Sequence, residues 1–356
     1  MIAPPWFEVP PSLYGGTESV VASLIDGLAS RGHHVALIAS GRARTRASSF
    51  HRVYAQPPSD ELGRSVPELF SAAEAARILA GMSVDIVHDH SLAGPLLARG
   101  RDTPTLVTMH GEAGGAIGDY FQSLRDTVGV VAISHSQRRQ RPLNWVGVVH
   151  NAVDVSRFPF RERKDGYLLW LGRYCAEKGP DLAIDAARAA GRTIVLAGKR
   201  RDPLEHRYFD EVIRPRLGPD TEVVGEVGGS QKTEMLAAAS ALLFPIRWAE
   251  PFGMVMIEAM ATGTPVIALR RGSVPEIVDH GRTGYVLDDI SGFPAAIDAL
   301  EHLRPVDARR RVEQHFDVSV MTRAYERLYR RVLARSAKGT RALPRGRAQL
   351  RRISTA

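Results

Sequence analysis

The chain carries one cysteine, Cys175, in 356 residues, which excludes an intramolecular disulfide and argues against a thiolate cage for a metal. Long hydrophobic runs are missing too. The apolar stretches at 130–133 and 237–246 fall far short of the roughly 20 residues of a membrane span. The first 20 residues lack a charged stretch leading into an apolar one, so no export signal is expected. Acid is absent from residues 331–356, where Arg331, Arg335, Lys338, Arg341, Arg345, Arg347, Arg351 and Arg352 stand. These eight cations equal the whole formal net charge of +8, so residues 1–330 are formally neutral. The remaining composition, 44% hydrophobic and 24% charged, is that of a globular protein with room for two domains. The expectation is a cytoplasmic protein with a basic, disordered tail over 336–356, suited to peripheral contact with an anionic membrane at its inner face. Nucleic acid is the disfavoured partner.

Short β-rich runs alternate with helical periodicity, the order of parallel sheets covered by helices on both faces. Strands are predicted at 34–39, 84–88, 105–110 and 129–134, then at 167–172, 193–198, 221–225, 241–246, 265–269 and 284–287. Val20, Val21, Leu24, Ile25 and Leu28 recur at helical spacing and predict a helix over 18–31, stopped by Gly32. A further strand ends in Val148-Val149-His150, before a polar stretch at 151–164. The chain thus divides into an N-terminal unit over 1–152 and a C-terminal unit over 153–315, each doubly wound. Open α/β sheets take ligands beyond the carboxyl ends of their strands, so two facing sheets share one cleft. Helical patterning resumes from Val306 to Leu333. Met1-Ile2-Ala3, followed by Pro4-Pro5, reads as the end of a strand; either the start is internal to the domain or the first strand is shortened. Residues 41–67, with Arg42, Arg44, Arg46 and Arg52, carry no signature and are expected as a solvated loop.

The densest chemical signal is Glu250-Pro251-Phe252-Gly253-Met254-Val255, with Glu258 a turn further on. Pro251 keeps Glu250 in the loop before a helix, and Glu258 falls in the second turn of that helix. The free N–H groups of Gly253, Met254 and Val255 then make an anion site with the positive helix end behind them. Phosphate at that end, flanked by acids able to accept from hydroxyls, suits a nucleotide-diphosphate-sugar. Arg173 and Lys178 follow a strand end and can offset charge on a departing diphosphate without a metal. Their alternative is a surface pair of Lys178 with Glu177 or Asp181. Tyr14-Gly15-Gly16-Thr17-Glu18 opens the first helix with backbone that a ligand can approach closely, Thr17 serving as its cap. It is not the dinucleotide fingerprint, because the third glycine is missing. His110, at a strand end, is expected to point into the cleft and bond a sugar or its acceptor. His88-Asp89-His90 has the look of a metal cluster, but no further ligands are evident and no metal is expected. Cys175 has no base assigned to it and reads as an incidental thiol.

These strings, with Arg31-Gly32-His33, Thr108-Met109-His110-Gly111, Ala132-Ile133-Ser134, His150-Asn151-Ala152-Val153-Asp154 and Gly272-Ser273-Val274-Pro275-Glu276-Ile277-Val278, resemble the retaining glycosyltransferases of family 4, the group-1 enzymes with the GT-B fold. The similarity spans nearly all of residues 1–335. It implies two Rossmann-like α/β domains facing across a cleft, with a last helix, about 316–335, returning to the first domain. It implies that Arg173 and Lys178 hold the donor diphosphate, with Gly15 and Gly16 approaching from the opposite domain. It places Glu258 on the ribose and Glu250, with Phe252 and the amides of Gly253, Met254 and Val255, at the donor sugar. His110 would stand beside the anomeric centre, as a catalytic residue with Glu250. Retention in such enzymes is ascribed to attack on the leaving-group face, the departing phosphate taking the acceptor proton, so no separate base is sought. The expected activity is metal-independent transfer of a hexose-type sugar from a nucleotide donor to an unidentified glycan, lipid or small-molecule acceptor. The donor is a substrate, and no cofactor is expected. Two other readings stay open at this point: a sugar-nucleotide epimerase on the same fold, and a non-enzymatic protein that binds anionic surfaces through its tail.

Overall fold

The computed structural model describes residues 1–13 and 15–341, the side chains of 337–341 excepted. Strands β1 (Ala36–Ala39), β2 (Ser49–Arg52), β3 (Val87–Asp89), β4 (Thr105–Met109), β5 (Gly129–Ala132) and β6 (Trp145–Val148) belong to the first half of the chain. The second half supplies β7 (Leu168–Arg173), β8 (Ile194–Lys199), β9 (Thr221–Val224), β10 (Ala241–Phe244), β11 (Val266–Leu269) and β12 (Gly284–Leu287). The helices named below are α1 (Gly16–Ser30), α2 (Ser65–Ala80), α3 (Gly115–Ser123), α4 (His135–Gln140), α5 (Pro180–Ala189), α6 (Pro203–Tyr208), α7 (Gly229–Ala238), α8 (Met254–Ala261), α9 (Val274–Ile277), α10 (Phe293–Asp298), α11 (Pro305–His315) and α12 (Val318–Arg341).

Every strand pairing is parallel. The second sheet runs β12-β11-β10-β7-β8-β9, which counted within the domain is the doubly wound order 3-2-1-4-5-6. Its strands are apolar along their length, as in Leu168-Leu169-Trp170 and Ala241-Leu242-Leu243-Phe244, because helices cover both faces. The first half forms a pair, β2-β1, and a run, β3-β4-β5-β6. Ile2 joins them, bridging Ile38 on one side and Asp89 on the other. Met1-Ile2-Ala3 therefore takes the place of the first strand's end, as its reading before Pro4-Pro5 led one to expect. Ile2 N–H donates to His88 and Ala3 N–H to Ile38. With this stub as strand one, the order β2-β1-stub-β3-β4 repeats that of the second sheet, and its switch point lies between the stub and β3.

Two stretches of chain cross between the halves side by side. Val153 bridges Asp317, and its N–H and C=O bond Phe316 and Val318. Beyond this crossing α12 lies against α1, so closely that a Cβ on Gly27 would stand 2.1 Å from Thr322 Oγ1. Arg31 Nε and His33 Nε2 each lie 2.8 Å from Glu326 Oε1 on α12, which gives Arg31-Gly32-His33 a structural task.

Three expectations need correction. Residues 41–67 are not one solvated loop: β2 and the start of α2 lie there. β2 is a short edge strand without a hydrophobic run, which explains its silence in the sequence. Thr17 does not cap α1; the cap position is Gly15, which has no side chain with which to bond the helix end. The basic tail does not begin at 336, because α12 continues through Ser336 to Arg341. No proline interrupts it before Pro344, and a single glycine such as Gly339 costs a helix only about 1 kcal/mol. The remaining tail cations, from Arg345 on, and Tyr14 lie outside the described residues.

Candidate active site

A cleft of about 270 Å³ opens where the carboxyl ends of β7, β8 and β10 face the start of α1. From the second sheet it receives Gly172 and Arg173 at the end of β7, Gly198 and Lys199 at the end of β8, and Phe244 at the end of β10. Arg173 and Lys199 are register partners on adjacent strands, which is why two cations emerge side by side. From the first half come Gly15, Gly16, Thr17 and His110. The two sides come close: a Cβ on Gly16 would lie 3.9 Å from Met254 Cγ.

The floor is the loop before α8 and the first turns of that helix. Gly253 caps α8 with φ +81°, a left-handed conformation that glycine adopts without strain, and no side chain bonds the helix N-terminus. Met254, Val255 and Glu258 line the cleft with it. The Glu250 loop is held by Ser273, whose N–H donates to Glu250 O at 2.9 Å and whose hydroxyl donates to Phe252 O at 2.7 Å. Phe252 reaches the wall, yet it is only 2% exposed. Its ring packs 5.9 Å from the His150 ring and 6.0 Å from that of Phe316, so its part is to support the loop.

Both acids carry cations. Lys178 Nζ lies 2.5 Å from Glu250 Oε2, and Trp248 Nε1 donates to the same oxygen at 3.1 Å. Lys178 does not pair with Glu177 or Asp181; Asp181 is taken by Arg247, with Tyr208 donating to it at 2.8 Å. Lys232, from the first turns of α7, lies 2.7 Å from Glu258 Oε2. Arg173 Nη1 stands 3.8 Å from Glu205 Oε1. Burial holds the Lys199 ammonium below its ordinary pKa, with the Glu205 charge opposing that shift. The result is four cations, Arg173, Lys178, Lys199 and Lys232, around one space with an unpartnered helix end.

His110 also lines this cleft. Burial pushes its imidazole down to about 4, and burial likewise depresses its neighbour His90, with the histidines beside it as a smaller cause. The 2.8 Å contact between His90 Nδ1 and His110 Nε2 is therefore a hydrogen bond between neutral rings. Nε2 being engaged, Nδ1 is the atom of His110 left for a ligand. Asn151, 4% exposed, lines the cleft too, and its buried Oδ1 has no hydrogen-bond partner among the described residues.

His88, Asp89 and His90 form no metal cage. His88 bonds Tyr329 and Thr108, each at 2.7 Å, and Asp89 Oδ1 accepts from Ser91 N–H and Oγ. Among the described residues, only His135, His150 and Glu276 bring three such ligand atoms within 4.8 Å of one another. Glu276 is already engaged there: it accepts from the N–H groups of His135 and Ser136 at 2.8 and 2.6 Å and lies 3.0 Å from His150 Nε2. Cys175 is a half-buried thiol whose pKa burial raises, so it is poorly ionised.

Sequence reasoning singled out Gly15, Gly16, Arg173, Lys178, Glu250, Gly253, Met254, Val255, Glu258 and His110, and the fold brings all of them to one cleft. It missed Lys199, Lys232, Glu226 and Asn151. Lys199 had a legible signal, a cation ending a predicted strand as Arg173 does. Lys232 had none, since only tertiary structure sets it opposite Glu258.

Two family models match the chain: Glycosyltransferase Family 4 over residues 14–157 and Glycosyl transferases group 1 over residues 154–315. A glycogen synthase of Mycobacterium tuberculosis is 26% identical, the alignment covering 91% of this chain and 92% of that protein. A phosphatidyl-myo-inositol mannosyltransferase of Mycolicibacterium smegmatis is also 26% identical, with 93% of each covered. Among solved structures, AviGT4, a glycosyltransferase involved in avilamycin A biosynthesis, superposes with a TM-score of 0.72 at 28% identity, covering 94% of this chain and 97% of its own. The fold is GT-B and the protein is a glycosyltransferase. It belongs to glycosyltransferase family 4, with the group-1 domain in its second half. No helix among the described residues is long and apolar enough to cross a membrane.

Proposed function

We propose that the protein transfers a hexose-type sugar from a nucleotide-diphosphate-sugar to an acceptor hydroxyl with retention of configuration and without a metal ion or cofactor. The observation that carries this reading is the convergence of Arg173, Lys178, Lys199 and Lys232 with the N-terminus of α8 on a space that Gly16 closes from the other side. That array is built for a diphosphate. Its positive charge does the work that a divalent ion does elsewhere, stabilising the diphosphate as it leaves.

In the reaction the bond between the anomeric carbon and the phosphate oxygen breaks, and the diphosphate keeps the electron pair. The acceptor oxygen attacks the same face, and its proton passes to the leaving phosphate oxygen. Glu258 accepts from ribose hydroxyls and Glu250 from hydroxyls of the transferred sugar, each exchanging part of its contact with a lysine for contact with the donor. Neutral His110 bonds the sugar through Nδ1. Gly15 and Gly16 allow the diphosphate to approach α1.

The test is incubation with UDP-, GDP-, ADP- and dTDP-sugars in the presence of chelator. Nucleoside diphosphate release is expected with at least one donor, and Lys178→Ala and Glu258→Ala should each abolish it. Anomeric coupling constants of the product by NMR read retention. Unchanged release in both variants would overturn the site.

A further inference from the structure

A second and larger chamber, about 780 Å³, adjoins the cleft on the side of the first domain. It lies at that domain's own switch point, between the loop after the Met1–Ala3 stub, represented by Pro4, Trp6 and Phe7, and the residues that follow β3, His90 and Leu92. This is where a doubly wound sheet takes a ligand. Gly15, Gly16 and Thr17 line both chambers. The seam is also bridged by the His90–His110 hydrogen bond, with His90 on the second chamber and His110 on the first. A molecule seated here would present one end to the donor sugar.

The walls say what kind of molecule. Leu62, Leu69, Leu92, Leu96 and Ile117 line it and are 39–54% exposed. Two of the polar groups among them are engaged within the protein. Glu68 accepts from the N–H groups of Leu92 and Ala93 at 2.7 and 3.3 Å, and Tyr120 donates to Leu92 O at 2.6 Å. Arg64 stands 3.6 Å from Glu61. A glycan chain needs a hydrogen-bond partner for nearly every hydroxyl, and the aliphatic wall of Leu62, Leu69, Leu92, Leu96 and Ile117 supplies none. Polar groups gather instead at the inner end, where Glu18, 3% exposed, and His90 meet the seam. Polar seam and aliphatic outer wall match an amphiphile with its hydroxyl inward.

We propose that this chamber is the acceptor site and that the acceptor is an amphiphilic alcohol, its hydroxyl at Glu18 beside the seam and its alkyl chain along the Leu69 and Leu96 wall. This rests on the donor reading of the neighbouring cleft and specifies the other substrate. The test titrates the protein, in the presence of UDP, GDP, ADP or dTDP, with methyl, butyl and octyl β-D-glucoside below the micelle concentration, by calorimetry. Affinity is expected to rise about tenfold or more from methyl to octyl, as apolar surface leaves water. Leu69→Glu and Leu96→Glu should each return octyl glucoside to the level of the methyl compound. Both side chains are half-exposed, so the substitutions leave the core untouched; a wild-type thermal shift with the bound nucleoside diphosphate checks the fold. Octyl glucoside binding no tighter than methyl, or equally tight in both variants, overturns the proposal. That failure is separable from failure of the donor reading, which would show as no nucleotide binding by the wild-type protein, and the glucoside series reads the acceptor chamber in either case.

Discussion

Lys178 Nζ sits 2.5 Å from Glu250 Oε2, with the two side chains 19% and 11% exposed. A donor diphosphate and its sugar would divide this pair between them. The lysine alone meets phosphate, and the acid alone meets hydroxyls. Removing the lysine leaves a mostly buried carboxylate without its cation, the Trp248 indole N–H alone still donating to it. Lys178→Ala is expected to lower stability by about 2 kcal/mol, below the 3–5 kcal/mol range of fully buried pairs because some exposure remains. Removing Glu250 as well should restore most of that stability in urea titrations and none of the nucleoside diphosphate release.

Glu258 offers a second discrimination. If it accepts from ribose, the wild-type protein should bind the preferred nucleoside diphosphate about tenfold more tightly than its 2′-deoxy analogue, the cost of leaving an acceptor unpaired. Glu258→Gln should shrink this ratio towards one while retaining the thermal shift from inorganic pyrophosphate. Calorimetric titration of both nucleotides into both proteins reads the outcome; a ratio untouched by the substitution assigns the ribose elsewhere.

Glu18 makes stability depend on pH. Burial is the main cause that raises its carboxyl from the ordinary 4.5 to about 7, with Glu68 adding to the shift and the Glu18 backbone N–H opposing it. The native acid stays protonated where the unfolded chain ionises, so this residue lowers stability as pH rises through that window and exerts its full penalty above 7. Glu18→Gln should therefore gain stability over the wild type above pH 7, by at most about 3 kcal/mol. The gain should vanish below pH 4.5. Urea midpoints at pH 4 and pH 8 provide the comparison, and a pH-independent gain would assign the effect to packing.

Glu276 ties the halves of the molecule together, accepting from the N–H groups of His135 and Ser136 on α4 and lying against His150. Burial alone would raise its pKa, but the His150 hydrogen bond and the two amides leave it below the ordinary range. Glu276→Ala strips the His135 and Ser136 N–H groups of their acceptor and should cost about 1–3 kcal/mol. The radius of gyration by small-angle scattering should rise as the cleft opens. An unchanged radius would mean that the paired crossings at Val153 and Asp317 hold the closed arrangement by themselves.

Local chemistry made much of this protein legible in one dimension. Alternating β-rich and helical runs specify parallel sheets with helices on both faces, since Leu168-Leu169-Trp170 and Ala241 to Phe244 can be buried on both sides in no other common arrangement. Pro251 followed by Gly253 marks a helix start, and cations at strand ends mark a ligand edge, because φ restriction and strand polarity act within a few residues. Pairing across the chain was beyond such reasoning. Lys232 meets Glu258, Glu276 meets α4, and Ile2 closes a sheet between strands that begin 34 and 85 residues later, at Ala36 and Val87. Nor does any string announce the apolar chamber, whose walls come from the first loop, α2, the segment after β3 and α3. Contacts between residues far apart in sequence arise only when strands and helices pack, within each domain and between the two, and that packing decides which charges are shared, which are buried, and what kind of molecule fits between them.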